Sequence, residues 1–167
     1  MRQPIDPREL RQALARFATG VAVATTLSAD GRPIGLTINS FSSVSLDPPL
    51  VLWSLSRGSP SLPAFVRARH FAVNLLGEEQ QDLSERFSRP QADRFAGLDW
   101  SAGVGGAPVL PGCLASFECR SSSQIPSGDH VILLGHVERF RFRPGAPLIF
   151  FASRYGLPAR VAAAADA

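Results

Sequence analysis

Thr37-Ile38-Asn39-Ser40-Phe41-Ser42-Ser43-Val44-Ser45 is the stretch on which the reading of this chain turns. Six of these nine residues carry a hydroxyl or an amide. Drawn out as a strand, the stretch puts Thr37, Asn39, Ser43 and Ser45 on one face and Ser40 and Ser42 on the other. A solvated edge strand would explain that polarity, but the flanks argue otherwise. Val21 to Leu27 before it and Leu50 to Leu55 after it are short and apolar on both faces, the pattern of buried strands. Polar groups enclosed in a small β-rich protein are costly unless a partner satisfies them. The stretch therefore reads as a segment that faces a ligand.

Outward from it the chain reads as strands with short connections. Upstream, Asp6 can cap a helix that opens at Pro7; Leu10, Leu14 and Phe17 recur at helical spacing, and Gly20 closes it. Ala29-Asp30-Gly31-Arg32 is a hairpin turn, because Asp-Gly supplies the positive φ such turns need. Pro33 to Ser45 returns as one strand or two. Downstream, Ser61 to Arg69 predicts a short helix and Phe71 to Leu76 a strand. Glu79 to Ser88 predicts a helix with Leu83 and Phe87 inward and Asp82–Arg86 and Glu85–Arg89 pairs on its surface. A Gly- and Pro-rich connection, Gly97 to Gly112, leads to two long strands, Leu114 to Gln124 and His130 to Phe142, turned at Pro126-Ser127-Gly128-Asp129. Leu148 to Ala152 is the last strand, and the Ala-rich tail from Val161 is expected to fray.

This pattern predicts one domain over 1–160 of mainly β (α+β) class: a closed or split antiparallel barrel with short flanking helices. Strands apolar on both faces exceed what a lone small barrel buries, so a homodimer is expected.

Bulk properties narrow the function. The 167 residues are 45% hydrophobic and 19% charged, a folded protein rather than a disordered tail. All 17 basic residues are Arg, so any side-chain cation that holds an anion is a planar fork suited to phosphate. A net charge of +3 and scattered arginines do not make a nucleic-acid footprint. Arg139, Arg141 and Arg143 alternate with Phe140 and Phe142 as in an ordinary half-buried strand. No apolar run is long enough to span a membrane and no secretory signal opens the chain, so no membrane role and a cytoplasmic location are expected. Cys113 and Cys119 read as lying on one strand roughly 20 Å apart, too far for a disulfide.

Four clusters could carry chemistry. The first is the Thr37–Ser45 stretch. The second, Ser54-Leu55-Ser56-Arg57-Gly58-Ser59-Pro60-Ser61, gathers hydroxyls, an Arg and flexible amides at a helix start, the makings of an anion site. The third holds Arg86, which could reach a phosphate or simply lace a helix surface with ion pairs. The fourth is Gly128-Asp129-His130, where His130 could border a bound ring or serve a structural role. His130 and His136 are about 20 Å apart on one strand and His70 has no partner nearby in sequence, so no metal site is expected. Neither a phosphate-binding Gly-rich loop nor a Gly-x-Ser-x-Gly elbow is present, which disfavours kinase and hydrolase chemistry.

In chain order, Phe17-Ala18-Thr19-Gly20-Val21, the run from Thr37 through Leu46-Asp47-Pro48-Pro49, Phe71-Ala72-Val73-Asn74, Leu83-Ser84-Glu85-Arg86-Phe87 and Gly128-Asp129-His130 form a familiar series. The chain, from about Leu10 to Gly156, resembles the flavin reductase family with the FMN-binding split-barrel fold. These are the small reductase components of two-component flavin-dependent monooxygenases.

That resemblance implies reduction of FMN or FAD by NADH or NADPH, with hydride passing from nicotinamide C4 to flavin N5 and reduced flavin delivered to a partner oxygenase. It implies that Thr37, Ile38, Asn39 and Ser40 hold the flavin ring. The flavin phosphate would sit among Ser54, Arg57, Ser59 and Ser61 with Arg86 as a second cation, and Leu55 and Phe87 would complete the cofactor site. His130 and Tyr155 would position the nicotinamide. No acid–base dyad is called for, because the chemistry belongs to the two cofactors. Phe151 stands where many relatives carry a His or another polar ring. That departure leaves open a non-catalytic or electron-carrying FMN protein. A split-barrel oxidase of a small substrate is a further alternative, because the fold also serves such enzymes, and the motif series above argues against it. An Arg beside the adenosine phosphate would favour NADPH, and the sequence alone places none.

Overall fold

The computed structural model describes residues 5–90 and 93–156; the Ala-rich tail from Val161 lies outside them. Helix α1 (Pro7–Leu14) is followed by strands β1 (Thr19–Gly20), β2 (Ala22–Leu27), β3 (Pro33–Ile38), β4 (Ser42–Leu46) and β5 (Pro49–Ser56). Then come α2 (Leu62–Arg67), β6 (His70–Leu75), a 3-10 turn at Glu78–Gln80 and α3 (Gln81–Ser88). Short strands β7 (Ser101–Ala102) and β8 (Pro108–Val109) precede the long pair β9 (Ala115–Ser127) and β10 (His130–Phe142), and a hairpin, β11 (Ile149–Phe151) and β12 (Arg154–Gly156), ends the described chain.

The expected split antiparallel barrel is present, and chain connectivity explains its form. Seven strands pair in the order β3-β2-β6-β9-β10-β5-β4, so β3 and β4, consecutive in sequence, occupy opposite edges. In a flat sheet those edges would be roughly 29 Å apart, at about 4.8 Å per strand spacing. The steps from Ile38 to Ser42 reach at most about 14 Å. The sheet therefore has to roll up, and its seam falls at Asn39-Ser40-Phe41. Pro33 to Ser45 is thus two strands, parted by Asn39-Ser40-Phe41 at the middle of the polar stretch.

Ser40 fastens the seam. Its hydroxyl donates to the carbonyl of Ser54 (3.1 Å) and accepts from the amide of Ser54 (3.0 Å). This extends the β4–β5 ladder, which includes the pair Ser42 and Leu52, by a side chain where the backbone turns away.

Two layers of core flank β2. Ala22 and Ala24 face the barrel interior with Trp53, Phe65, Phe71 and Leu133, where Trp53 meets Phe65 edge-on at 4.9 Å. Val21 and Val23 pack outward against Leu76, Phe87, Phe95, Leu110 and Leu148. The two-sided apolarity of Val21 to Leu27 is therefore satisfied within the chain. On β5 and β10 it is not: Val51, Trp53 and Leu55 point inward, while Leu50 and Leu52, with Leu134 across from Leu52 and Ile132 across from Ser54, remain half-buried. Gly35 is required where α3 crosses β3, because a Cβ there would lie 2.6 Å from the ring of Phe87.

Several expectations are corrected. The first helix stops at Leu14; Gly20 belongs to β1, paired with Ile149, and Leu10, Leu14 and Phe17 are exposed, Phe17 at 78%. Cys113 precedes β9 rather than sharing a strand with Cys119, and both thiols are free. The Gly97–Gly112 connection has structure of its own and is pinned to the barrel. Asn74, fully buried on β6, accepts from the amide of Leu110 (3.0 Å) and donates to the carbonyl of Val23 (3.1 Å). Thr25 donates to the carbonyl of Pro108 (2.5 Å). Glu118, also fully buried, accepts from the amide of Val104 (2.7 Å) and pairs with Arg139 (3.2 Å) and Arg141 (3.4 Å). The sequence offered no sign of it, since a single acid within a strand has no local signature.

Candidate functional site

At the seam, Thr37, Ile38 and Asn39 from the end of β3 face Phe150 and Tyr155 of the last hairpin. With Val21 and Ser88 they line a cavity of about 190 Å³. Its walls are Val21, Ile38 and two aromatic rings, and its polar groups are Thr37, Asn39 and Ser88. Ser84, fully buried on α3, organises it: its carbonyl accepts from the Thr37 hydroxyl (2.6 Å), and its own hydroxyl bonds that of Tyr155 (2.8 Å). Phe150 braces Tyr155 edge-on at 5.5 Å. Asn39 is exposed, and among the described residues no side-chain hydrogen bond ties its amide down. Ser84 was legible only as part of a motif, not as the group that holds both Thr37 and Tyr155.

The cavity continues along β3. Ser88 also borders a second hollow of about 540 Å³, lined by Gly35, Pro60, Ser61, Asp93 and Arg94 among others. Together they fall in the roughly 300–1,000 Å³ range usual for small-molecule sites. Arg94 is the cation of this groove, held by donation to the carbonyls of Gly35 (2.8 Å) and Arg89 (3.1 Å). Partial burial lowers its guanidinium pKa from the ordinary value. Arg86, the second cation expected from sequence, is engaged by the loop that follows α3. Its Nε donates to the carbonyl of Arg94 (2.7 Å) and its terminal nitrogen to that of Ala96. Arg86 thereby shapes the loop that presents Arg94. The Glu85–Arg89 pair forms as expected.

The serine loop differs in detail from its expected role. Its amides are satisfied internally: Arg57 N bonds Asp129 O, Ser59 N bonds Ser56 O, Leu62 N bonds Ser59 O, and Gly58 N and Ser61 N bond the hydroxyls of Ser56 and Ser59. Neither a backbone nest nor the start of α2 has amides to offer an anion. What remains are hydroxyl protons, since Ser56 and Ser59 accept through oxygen and keep their O–H to donate. Ser61 is nearly buried and faces the groove beside Arg94. Leu55 and Phe87 are core residues whose side chains pack away from solvent. Either could touch a ligand only through backbone or by shaping the wall.

His130 lies opposite Ser56 at the start of β10, next to Arg57, with Nδ1 at 2.8 Å from Asp129. The hydrogen bond to His130 holds the Asp129 carboxyl below its ordinary range, aided by charge attraction. Thus Ser40, Ser54, Arg57 and His130 gather at one end of β5, and Thr37, Asn39 and Tyr155 at the hairpin. Among the described residues no hydrogen bond or ring contact joins His130 to Tyr155 within one chain. Phe151 faces away from the cavity, because it neighbours Phe150 in an extended strand.

A flat ring with a polar edge and a phosphate tail fits these donors: apolar and aromatic walls beside Thr37 and Asn39, then Ser61 and Arg94 further along. The chain is similar to the NADH-dependent FMN reductase SmoA of Agrobacterium fabrum, 49% identical over 151 residues that cover 90% of this chain and 86% of SmoA. It is 46% identical over 153 residues to the reductase component of the flavin-dependent trigonelline monooxygenase of Acinetobacter baylyi, covering 92% of this chain but only 49% of that relative. Among solved structures it resembles the NADH:FAD oxidoreductase SgcE6 of Streptomyces globisporus, solved with NAD and FAD fragments. That match has a TM-score of 0.86 and 34% identity, covering 99% of this chain and 100% of that one. Residues 14–157 match the family model described as the flavin reductase like domain, and the chain belongs to that family.

Proposed function

We propose that this protein is an NAD(P)H-dependent flavin reductase that passes reduced FMN or FAD to a partner oxygenase. The observation that carries the reading is the seam groove, in which Thr37 and Asn39 meet Tyr155 and which leads to Ser61 and Arg94. The bound flavin supplies the redox chemistry, accepting hydride from the reduced nicotinamide. The chain's own task is positional. Thr37, fixed by Ser84, and the free amide of Asn39 address the polar edge of the ring. Val21, Ile38 and Phe150 exclude water from its face. Arg94 and the hydroxyls of Ser59 and Ser61 take the phosphate, with Ser40 and Ser54 holding the seam behind them. Tyr155 and His130 border the nicotinamide.

The same reading includes a homodimer over one domain, 1–160. Its supports are the exposed apolar side of α1 and the half-buried outer face of β5 and β10. A reducing cytoplasm suits the two free cysteines. Among the described residues no helix is long and apolar enough to cross a membrane.

The test is consumption of NADH and NADPH by purified protein with FMN or FAD added and then omitted. Consumption that needs added flavin supports the reductase. A protein that binds FMN and oxidises neither nucleotide sinks it. His130→Ala should raise the apparent KM for the nucleotide; no change in KM or kcat removes that residue from the site.

A further inference from the structure

Resting on the reductase reading, we propose that the outer face of the β11–β12 hairpin, carried by Phe151 and Arg154, is a subsite for the adenosine-phosphate end of the nicotinamide dinucleotide. Phe150 pairs across the hairpin with Tyr155, and Phe151 with Arg154. Successive strand residues point to opposite faces. Phe150 and Tyr155 accordingly line the cavity with Thr37, and Phe151 and Arg154 look out on the other side.

These two outward residues make a recognition pair. Phe151 is 44% exposed, an open aromatic face on which a flat base can stack. Arg154 is exposed, and among the described residues no carboxylate pairs with it. A planar guanidinium in that state suits a phosphate, which it can grip through two donors at once. Phe151, Arg154 and Tyr155 border a hollow of about 420 Å³, and Tyr155 also borders the 190 Å³ cavity at Thr37. One side chain thus separates the ring site from the cation. A ligand whose nicotinamide lies at Tyr155 needs only to cross the hairpin edge to bring its phosphates to Arg154.

The turn of the hairpin is also filled by residues that adopt its conformation at a cost. Its turn residues, Ala152 and Ser153, both adopt positive φ (48° and 63°), a conformation unfavourable for residues with a Cβ. A hydrogen bond from the amide of Ala152 to the carbonyl of Ala15 (2.9 Å) ties the turn to the end of α1. Strain kept in place by surrounding structure is common where side chains must be presented in one geometry. The flavin phosphate has separate partners in Ser61 and Arg94, so the two anionic groups do not compete.

The experiment is calorimetric titration of ADP and of 2′,5′-ADP into the wild-type protein, Arg154→Ala, Arg154→Lys and Phe151→Ala, with FMN affinity and steady-state kinetics measured alongside. Arg154→Ala should weaken the adenine nucleotides and raise the dinucleotide KM by about tenfold or more, leaving FMN affinity intact. Arg154→Lys should recover part of the loss, and Phe151→Ala should weaken both nucleotides. Equal loss for ADP and 2′,5′-ADP points to the 5′-phosphate that both carry, a larger loss for ADP to the diphosphate, and a larger loss for 2′,5′-ADP to the 2′-phosphate of NADPH. Unchanged nucleotide affinity and unchanged KM in Arg154→Ala overturn the proposal, with FMN binding as the check that the variant is folded. A wild type that binds ADP through Arg154 yet oxidises no dinucleotide would overturn the reductase reading and leave the subsite standing.

Discussion

The hydroxyl of Ser40 satisfies both backbone polar groups of Ser54, donating at 3.1 Å and accepting at 3.0 Å, and so stands in for a strand residue at the seam. Ser40→Ala leaves the Ser54 amide and carbonyl without that partner. We expect a loss of about 1–3 kcal/mol in unfolding free energy, read from the urea midpoint. FMN affinity should fall with it, because Asn39 and Ser40 share one short connection. A variant with native stability would show that water replaces the hydroxyl at no cost.

Arg94 and Arg86 should separate under phosphate-dependent binding. Arg94→Ala is expected to weaken FMN by about tenfold while sparing riboflavin, which lacks the phosphate. Arg86→Ala removes donors to the carbonyls of Arg94 and Ala96, so it should loosen the loop and weaken both flavins. Fluorescence titration with the two flavins measures both. If Arg94→Ala binds FMN normally, the phosphate lies elsewhere.

Glu118 holds the Gly97–Gly112 connection through Val104 and two arginines. Glu118→Gln keeps the shape but strips the charge from a fully buried site. The expected cost is about 3 kcal/mol, the lower end for breaking a buried pair, because Arg139 and Arg141 remain half in water. Hydrogen exchange at Val104 should accelerate more than exchange at Trp53. Equal acceleration would mean that Glu118 supports the whole barrel rather than this connection.

Burial pushes the Cys113 thiol up to about 11 and that of Cys119 to about 12, from an ordinary value of 9.0. In the unfolded chain both thiols ionise near their ordinary value, so the unfolded state binds fewer protons than the native state above it. The stabilisation is complete below about pH 9 and is lost as pH rises toward 11 and 12. Unfolding free energy should therefore decline above pH 9, and less steeply in Cys119→Ala. Both thiols should react slowly with disulfide reagents at pH 8 in the native protein and rapidly in denaturant.

Local features were legible where one short stretch sufficed. Asp30-Gly31 places the first hairpin turn, with Gly31 at φ 78°. Leu83 and Phe87 face the core from α3, and His130 to Phe142 is one strand with the boundaries its pattern implies. Site residues that act through distant carbonyls were not legible. Nothing near Arg86 reveals that loop carbonyls at Arg94 and Ala96 take its donors, or that Arg94 then faces the groove. The amides of the Ser56–Ser61 loop look available in sequence and are closed off only by the turns they form. Leu10, Leu14 and Phe17 have helical spacing, but spacing does not say whether a face is covered by the same chain.

The seam has a consequence for folding. Asn39, Ser40 and Phe41 join neighbours in sequence that are the most remote strands of the sheet, so the seam from Ser40 to Ser54 closes only when every intervening strand has paired. A ligand held there binds no half-assembled form. Its stabilisation, which grows with the logarithm of free ligand over Kd, should fall on the slowest-exchanging amides of β6 and β9 as well as on those around the groove. Saturation with flavin would then serve as a gauge of the fraction of molecules whose sheet has fully rolled up.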